Sequence, residues 1–126
     1  MWLRLRQICL VARELKPVEE QLNKVLGINV CFRDPGVAFF GLENALFPIG
    51  NQLLEVVAPV EETTAGGRYL ERRGGDGGYM VITQSDNPAP RKAQVAELGV
   101  PIAHPFVHHT FLNLQLLPKD HGATFF

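Results

Sequence analysis

The sequence predicts an α+β fold built from two similar halves, and three observations support this prediction. A strand-like segment followed by an amphipathic helix occurs twice, with the helix ending at Gly27 in the first copy and at Gly99 in the second. About three further strand-like segments follow each helix. A polar, glycine-rich stretch separates the two copies. One supersecondary unit repeated along a chain predicts two βαβββ modules packed together.

The first module covers about residues 1–60. Residues 17–27 predict a short helix, because Pro17 suits a first turn and Gly27 suits a helix end. The apolar stripe of this helix comprises Val18, Leu22, Val25 and Leu26. The strand-like segments of the module are residues 3–12, 28–33, 37–40, 44–49 and 52–59. In the first segment, alternation with a period of two places on one face Leu5, Gln7, Cys9 and Val11.

Residues 61–77 are predicted to be a linker between the modules, with one short helical possibility at residues 68–73. The glycines of this stretch do not match the GxxxxGK[ST] pattern of a phosphate-binding loop. The second module covers about residues 78–126. It begins with a strand at residues 78–84, continues with a helix that ends at Gly99, and repeats the order of elements of the first module.

The composition is that of a single soluble globular domain, with 126 residues, 46% hydrophobic residues and 20% charged residues. The net charge of −1 predicts neither a nucleic-acid partner nor an anionic membrane surface as partner. No apolar run approaches the roughly 20 residues of a membrane-spanning helix. The N-terminus lacks the apolar block of a signal peptide. Cys9 and Cys31 lie in apolar segments, and we interpret them as reduced core thiols of a cytoplasmic protein.

Glu55 interrupts the apolar run formed by Leu53, Leu54, Val56 and Val57. A carboxylate in a buried strand is costly unless its lost hydration is compensated. Three explanations follow from the sequence: a solvated position at a sheet edge, an ion pair with a basic side chain, or a bound metal ion.

The chain resembles the vicinal oxygen chelate superfamily, the glyoxalase and bleomycin-resistance fold. Its pattern is nearest to glyoxalase-like and methylmalonyl-CoA epimerase-like proteins. The resemblance rests on the two strand–helix units and on three further stretches: GLENALFPIGNQLLEVVAP, RYLERRGGDGG and LLPKDHGATFF. It implies that the two βαβββ modules form an open, U-shaped, barrel-like cavity, and that the protein is a homodimer.

The resemblance also implies a divalent metal, Zn, Ni, Mn or Mg, held by side chains from the first and fourth strands of both modules. Carried over by position, the first module supplies Gln7 and Glu55, with Glu55 also the candidate catalytic residue. In the second module the corresponding position holds Met80, whose thioether is a poor ligand for a hard cation. The sequence ends before the position of the fourth expected ligand, a glutamate. His104, His108 and His109 are interpreted as residues of the surface or the cavity rim.

Two functions from different classes follow from the resemblance. The first is a metal-dependent lyase, isomerase or dioxygenase acting on a small oxygenated substrate, such as a 2-oxoaldehyde adduct, an acyl thioester or a catechol-like ring. The second is a metal-free protein that binds or sequesters a small apolar molecule, as bleomycin-resistance proteins do, or a diverged inactive member. In either case the aromatic and thioether side chains proposed to contact the ligand are Phe39, Phe47, Tyr79, Met80 and Phe111.

Overall fold

The computed structural model describes residues 2–103, 106–108 and 111–117. The strands in this part of the chain are β1 (Leu3–Val11), β2 (Leu42–Ile49), β3 (Gln52–Pro59), β4 (Gly77–Ser85), β5 (Phe106–His108) and β6 (Phe111–Asn113). The α-helices are α1 (Leu15–Leu26), α2 (Ala65–Arg73) and α3 (Ala89–Glu97), and a 3-10 helix covers Pro35–Phe40. The predicted α+β class is therefore confirmed. No helix in the described ranges combines the length and the apolar character needed to cross a lipid bilayer.

The main sheet has four strands in the order β2-β3-β1-β4, and it is open rather than closed into a barrel. β1 runs parallel to β3, whereas β2 and β3 form an antiparallel hairpin. A tight turn joins the hairpin at Gly50, whose φ of 59° lies in the left-handed region that glycine adopts without steric cost. Because β3 lies between β1 and β2, both of its edges pair with a neighbouring strand.

The alternation predicted for β1 is confirmed over its second half, where Gln7, Cys9 and Val11 are buried. The face is less deeply buried at its start, since Leu5 is exposed. The strand therefore runs from a solvated end into the core, as the change from alternating to apolar residues predicts.

Helix α1 packs on the core through only part of the predicted stripe. Val18 and Leu22 contact the core cluster, whereas Val25 and Leu26 are exposed. The helix ends as predicted at Gly27, which has a φ of 68° and donates its backbone N–H to the carbonyl of Asn23 at 2.9 Å. The buried cluster that α1 covers comprises Ala12, Leu15, Ala45, Phe47, Val56 and Ala58.

Three predictions for the first half are wrong. Residues 37–40 are not extended but belong to the 3-10 helix, which the Asp34 side chain caps by accepting the Gly36 N–H at 2.8 Å. Residues 28–33 form no strand, since only Phe32 makes an isolated bridge, to Leu46. Cys31 is an exposed thiol rather than a core residue. The segment after α1 is thus anchored to β2 at one point, and that contact leaves the Cys31 side chain in solvent.

The stretch predicted to be a linker contains the nine-residue helix α2. Thr64 caps the helix by accepting the Gly67 N–H at 2.9 Å, and Leu70 buries its side chain. Gly66 brings the helix close to the sheet, because a Cβ at this position would lie 3.1 Å from the Leu42 side chain. Residues 61–77 therefore include a helix that packs on the sheet, and their role as a linker between modules stays a prediction.

The described part of the second half repeats the order strand then helix, with β4 followed by α3. Gly99 follows α3 with a φ of 68°, the same value as Gly27 after α1. Strands β5 and β6 form an antiparallel pair. Contacts divide the chain into two compact units, one of residues 7–79 and one of residues 1–6 together with residues 80–126. The division into modules at residues 1–60 and 78–126 stays a prediction.

Candidate functional site

One face of the sheet carries polar side chains from three neighbouring strands. The parallel register pairs Cys9 of β1 with Glu55 of β3, so both side chains lie on the same face, together with Gln7 two residues earlier. The hairpin register pairs Leu46 of β2 with Glu55, which places Asn44 on that face as well. We call Gln7, Cys9, Asn44 and Glu55 the Glu55 cluster. All four are buried.

The carboxylate of Glu55 accepts two amide hydrogen bonds. Gln7 Nε2 donates to Oε2 at 2.5 Å, and Asn44 Nδ2 donates to Oε1 at 2.8 Å. The residue is only 6% exposed, so the explanation of a solvated edge does not hold. No basic side chain of the described residues forms an ion pair with Glu55. Amide donors from β1 and β2 therefore replace part of the hydration that the buried carboxylate loses.

Asn44 belongs to the cluster, although the sequence predicts no site role for it, as it predicts none for Cys9. Asn44 Oδ1 accepts the backbone N–H of Asp34 at 2.9 Å, which leaves Nδ2 facing Glu55. The orientation of this amide is thus fixed from both ends, and Asn44 links the turn at Asp34 to the carboxylate. A polar residue within the strand Leu42–Ile49 was the available signal. This residue can be assigned to the site only once the register of β2 with β3 places Asn44 next to Glu55.

Burial raises the pKa of the Cys9 thiol well above its ordinary value, and the neighbouring Glu55 carboxylate raises it further. Burial also raises the pKa of Tyr79, to which Cys9 and Tyr69 contribute. The Tyr79 ring packs 5.0 Å from that of Tyr69, whose hydroxyl donates to the Gly78 carbonyl at 2.9 Å. Both Cys9 and Tyr79 are therefore protonated at neutral pH. A thiol and a phenol, both neutral, lie on the β1 and β4 side of Glu55.

The other side chains proposed to contact a ligand are dispersed. Phe47 is 1% exposed and belongs to the apolar core, whereas Phe39 lies in the 3-10 helix and is 84% exposed. Met80 is half-buried, and its thioether accepts the Gln115 Nε2 at 3.9 Å. The side chains of Phe111 and His108, together with residues 104, 109 and 118–126, lie outside the described residues. The ligand-binding role of each of these residues stays a prediction.

No family model matches the sequence, and no curated protein matches it. Similar solved structures exist, however. One is a hypothetical protein from Bacillus halodurans, with a TM-score of 0.86, 18% identity, and coverage of 99% of this chain and 91% of that one. A variant of methylmalonyl-CoA epimerase from Streptomyces coelicolor, in complex with 2-nitronate-propionyl-CoA, has a TM-score of 0.84, 20% identity and coverage of 97% and 90%. A methylmalonyl-CoA epimerase in complex with methylmalonyl-CoA and NH4+ has a TM-score of 0.86, 19% identity and coverage of 99% and 92%.

The chain therefore has the same fold as these structures, which is the glyoxalase-like fold that the sequence predicts. At identities of 20% and below, the likeness shows the fold alone, and the chemistry of this protein depends on its own residues. The superfamily resemblance implies a metal at Gln7 and Glu55. Whether a metal fits there depends on which polar groups of the Glu55 cluster could act as its ligands.

The donor set of the Glu55 cluster does not fit a divalent metal. Among the described residues no group of three or more His, Cys, Asp or Glu side chains is placed to hold an ion. In the Glu55 cluster the Gln7 and Asn44 amides both present N–H donors to the carboxylate, where a cation requires oxygen acceptors. Gln7 can turn its amide, because no described residue donates to its Oε1, but Asn44 cannot turn without losing its bond to Asp34. Glu55 and Gln7 are then two protein ligands, whereas Zn²⁺ takes about four ligands and Mg²⁺ about six.

Proposed function

We propose that this glyoxalase-like protein binds a small oxygenated organic ligand at the Glu55 cluster, with an acyl thioester as the ligand class, and that it does so without a divalent metal. The observation that carries the proposal is the buried Glu55 carboxylate, held in one orientation by Gln7 and Asn44 and without a cation from the described residues. An anion fixed in this way favours a ligand that presents a hydrogen-bond donor or an acidic C–H group.

The ligand class is supported by the solved structures of the same fold. Two of them are methylmalonyl-CoA epimerases, one in complex with methylmalonyl-CoA and one in complex with 2-nitronate-propionyl-CoA. Acyl thioesters combine a carbonyl oxygen with an acidic α-hydrogen. The Glu55 cluster offers complementary groups, since the carboxylate accepts and the protonated Cys9 thiol, which donates to the Leu10 carbonyl at 3.6 Å, can turn to donate to a ligand.

A second candidate function is isomerisation of the same ligand class by α-proton transfer. In this reaction the α C–H bond breaks, its electron pair moves towards the carbonyl oxygen as an enolate, and the proton passes to Glu55. A second acid, for which the protonated Cys9 thiol is the candidate, donates a proton to the opposite face of the α-carbon. Exchange with water then removes the proton from Glu55 and restores the one on the thiol, so the cycle needs no oxidant or reductant. The observation in favour is that Glu55 is a buried carboxylate beside the neutral Cys9 thiol, which in turn lies near the neutral Tyr79 phenol. A reachable carboxylate next to a proton donor can serve as general base.

The binding proposal is tested by calorimetric titration with methylmalonyl-CoA, acetyl-CoA and free CoA in metal-free buffer. Glu55→Gln keeps the shape of the side chain and removes its charge, and we expect it to weaken binding of the acyl thioesters by about tenfold or more, equivalent to about 1.4 kcal/mol. Glu62→Gln makes the same change at an exposed position and should leave the affinity unchanged. Equal affinities of the wild type and Glu55→Gln would refute the role of Glu55 and favour apolar sequestration of the bleomycin-resistance type.

The isomerase candidate needs a separate measurement. Incubation of each acyl thioester with the protein in D2O should incorporate deuterium at the α-carbon, as followed by mass spectrometry, and Glu55→Gln should abolish the exchange. Binding without exchange would leave the protein as a binding protein. The homodimer and the cytoplasmic location stay predictions, of which the first is tested by light scattering.

A further inference from the structure

Asn44 is a buried side chain whose orientation has a consequence for the cations that Glu55 accepts. It lies on β2, is 4% exposed, and contacts Glu55 from the side opposite to Gln7. We infer that Asn44 is a specificity-determining residue that keeps divalent cations away from Glu55, and that a carboxylate at this position would convert the Glu55 cluster into a divalent metal site.

The Asn44 amide is held in one orientation by its two contacts. The backbone N–H of Asp34 points at Asn44 Oδ1 at 2.9 Å, so the amide oxygen already serves as an acceptor. Rotating the amide by 180° would place Nδ2 against the Asp34 N–H, with two donors facing each other, and would leave the Glu55 Oε1 contact without a hydrogen. The native orientation therefore directs an N–H, which carries a partial positive charge, towards the carboxylate.

Replacing Asn44 by aspartate would keep the position of this side chain. Asn44→Asp replaces the NH2 group by an oxygen of nearly the same size, and its other oxygen still accepts the Asp34 N–H. The new oxygen would lie close to Glu55 Oε1, where Asn44 Nδ2 now lies at 2.8 Å. Two carboxylates this close cannot both stay ionised in a buried site unless a proton or a cation lies between them. With the Gln7 amide turned, the Glu55 carboxylate would have an oxygen neighbour on each side, the new oxygen of Asn44→Asp at Oε1 and the Gln7 oxygen at Oε2.

The number of charged ligands near Glu55 is the remaining determinant of cation binding. The carboxylate also lies beside the Cys9 thiol, which is protonated and is a poor ligand in that form. The wild-type cluster thus offers a cation one charged ligand, whereas Asn44→Asp offers two. Divalent-ion affinity depends strongly on the number of charged ligands, so the single substitution should change it greatly.

The experiment is a calorimetric titration of metal-free protein with Mn²⁺ and Mg²⁺, which prefer oxygen ligands and therefore bind weakly to surface histidines. We expect Asn44→Asp to bind Mn²⁺ with 1:1 stoichiometry, about 100-fold or more tighter than the wild type. Binding should release a proton, which is measured as a dependence of the binding enthalpy on the buffer. Adding Glu55→Gln to Asn44→Asp should remove the binding. The matched control Asn29→Asp adds the same charge at an exposed position and should bind as the wild type does.

Two results would overturn the inference. One is tight 1:1 binding of Mn²⁺ by the wild type that disappears in Glu55→Gln, because Asn44 would then fail to exclude the ion. The other is a folded Asn44→Asp, checked by circular dichroism, that gains no affinity. If Asn44→Asp does not fold, the wild type and Glu55→Gln decide alone, since equally weak binding by both supports exclusion. None of these titrations uses an organic ligand, so they test exclusion of the ion separately from binding of the acyl thioester.

Discussion

Replacing Asn44 by alanine should destabilise the protein strongly, although the side chain is small and contributes little to apolar packing. The substitution removes the donor to Glu55 and the acceptor for the Asp34 N–H, two hydrogen bonds that are both at least partly buried. A hydrogen bond to a charged group contributes about 1.5–3 kcal/mol and a neutral one about 1 kcal/mol. The expected loss in the free energy of unfolding is therefore about 3 kcal/mol.

The assay is equilibrium unfolding in urea followed by circular dichroism. With a denaturant dependence of about 2 kcal/mol per M, the loss corresponds to a midpoint lower by about 1.5 M. Asn29→Ala, at an exposed asparagine, is the matched control and should stay within about 0.5 kcal/mol of the wild type. Glu55→Gln should cost less than about 1 kcal/mol, because Gln7 can turn its amide to accept from the new side chain. A loss below about 1 kcal/mol for Asn44→Ala would refute the description of Glu55 as held by this amide.

Two further predictions concern the cysteines and the glycines. Cys31 is exposed and should react rapidly with an aromatic disulfide reagent at pH 8, whereas buried Cys9 should react only on unfolding. The pKa of Cys9 is raised in the folded state, so the thiol contributes fully to stability below the pKa of the unfolded thiol. This contribution is lost as the pH rises from that value through the pKa of the folded thiol. Cys9→Ala should therefore reduce the fall in urea midpoint between pH 8 and pH 10.5. Gly41→Ala should destabilise the protein by about 1–3 kcal/mol more than Gly27→Ala, because both residues have positive φ but only at Gly41 would the new Cβ meet a neighbouring side chain, at 2.6 Å. Equal losses at the two glycines would contradict the close approach of the Thr64 methyl group.

The sequence was sufficient for the elements whose period and end signals agree. Alternation located β1, and Pro17 with Gly27 located α1 to within two residues at its start. The apolar run at residues 37–40 predicts a strand, and this prediction is wrong. The Asp34-Pro35-Gly36 turn instead continues as a 3-10 helix, because the Asp34 side chain accepts the Gly36 N–H and starts a helical turn. The sequence also underestimates α2, whose nine residues contain two glycines that lower intrinsic helix propensity.

The Glu55 cluster shows where local sequence patterns stop being informative. Period-two alternation placed Gln7 and Glu55 on buried faces, and the structure joins them through a hydrogen bond. Asn44 and Cys9 entered the cluster through strand registers, β2 with β3 and β1 with β3, which depend on residues distant in sequence. An N–H donor beside a carboxylate disfavours a bound cation, whereas an oxygen atom beside it favours one. An asparagine side chain can present either group. The Asp34 N–H decides between them by occupying the amide oxygen. The cation preference of the site is thus set by a backbone group in a turn, which no pattern of side chains in β1 or β3 encodes.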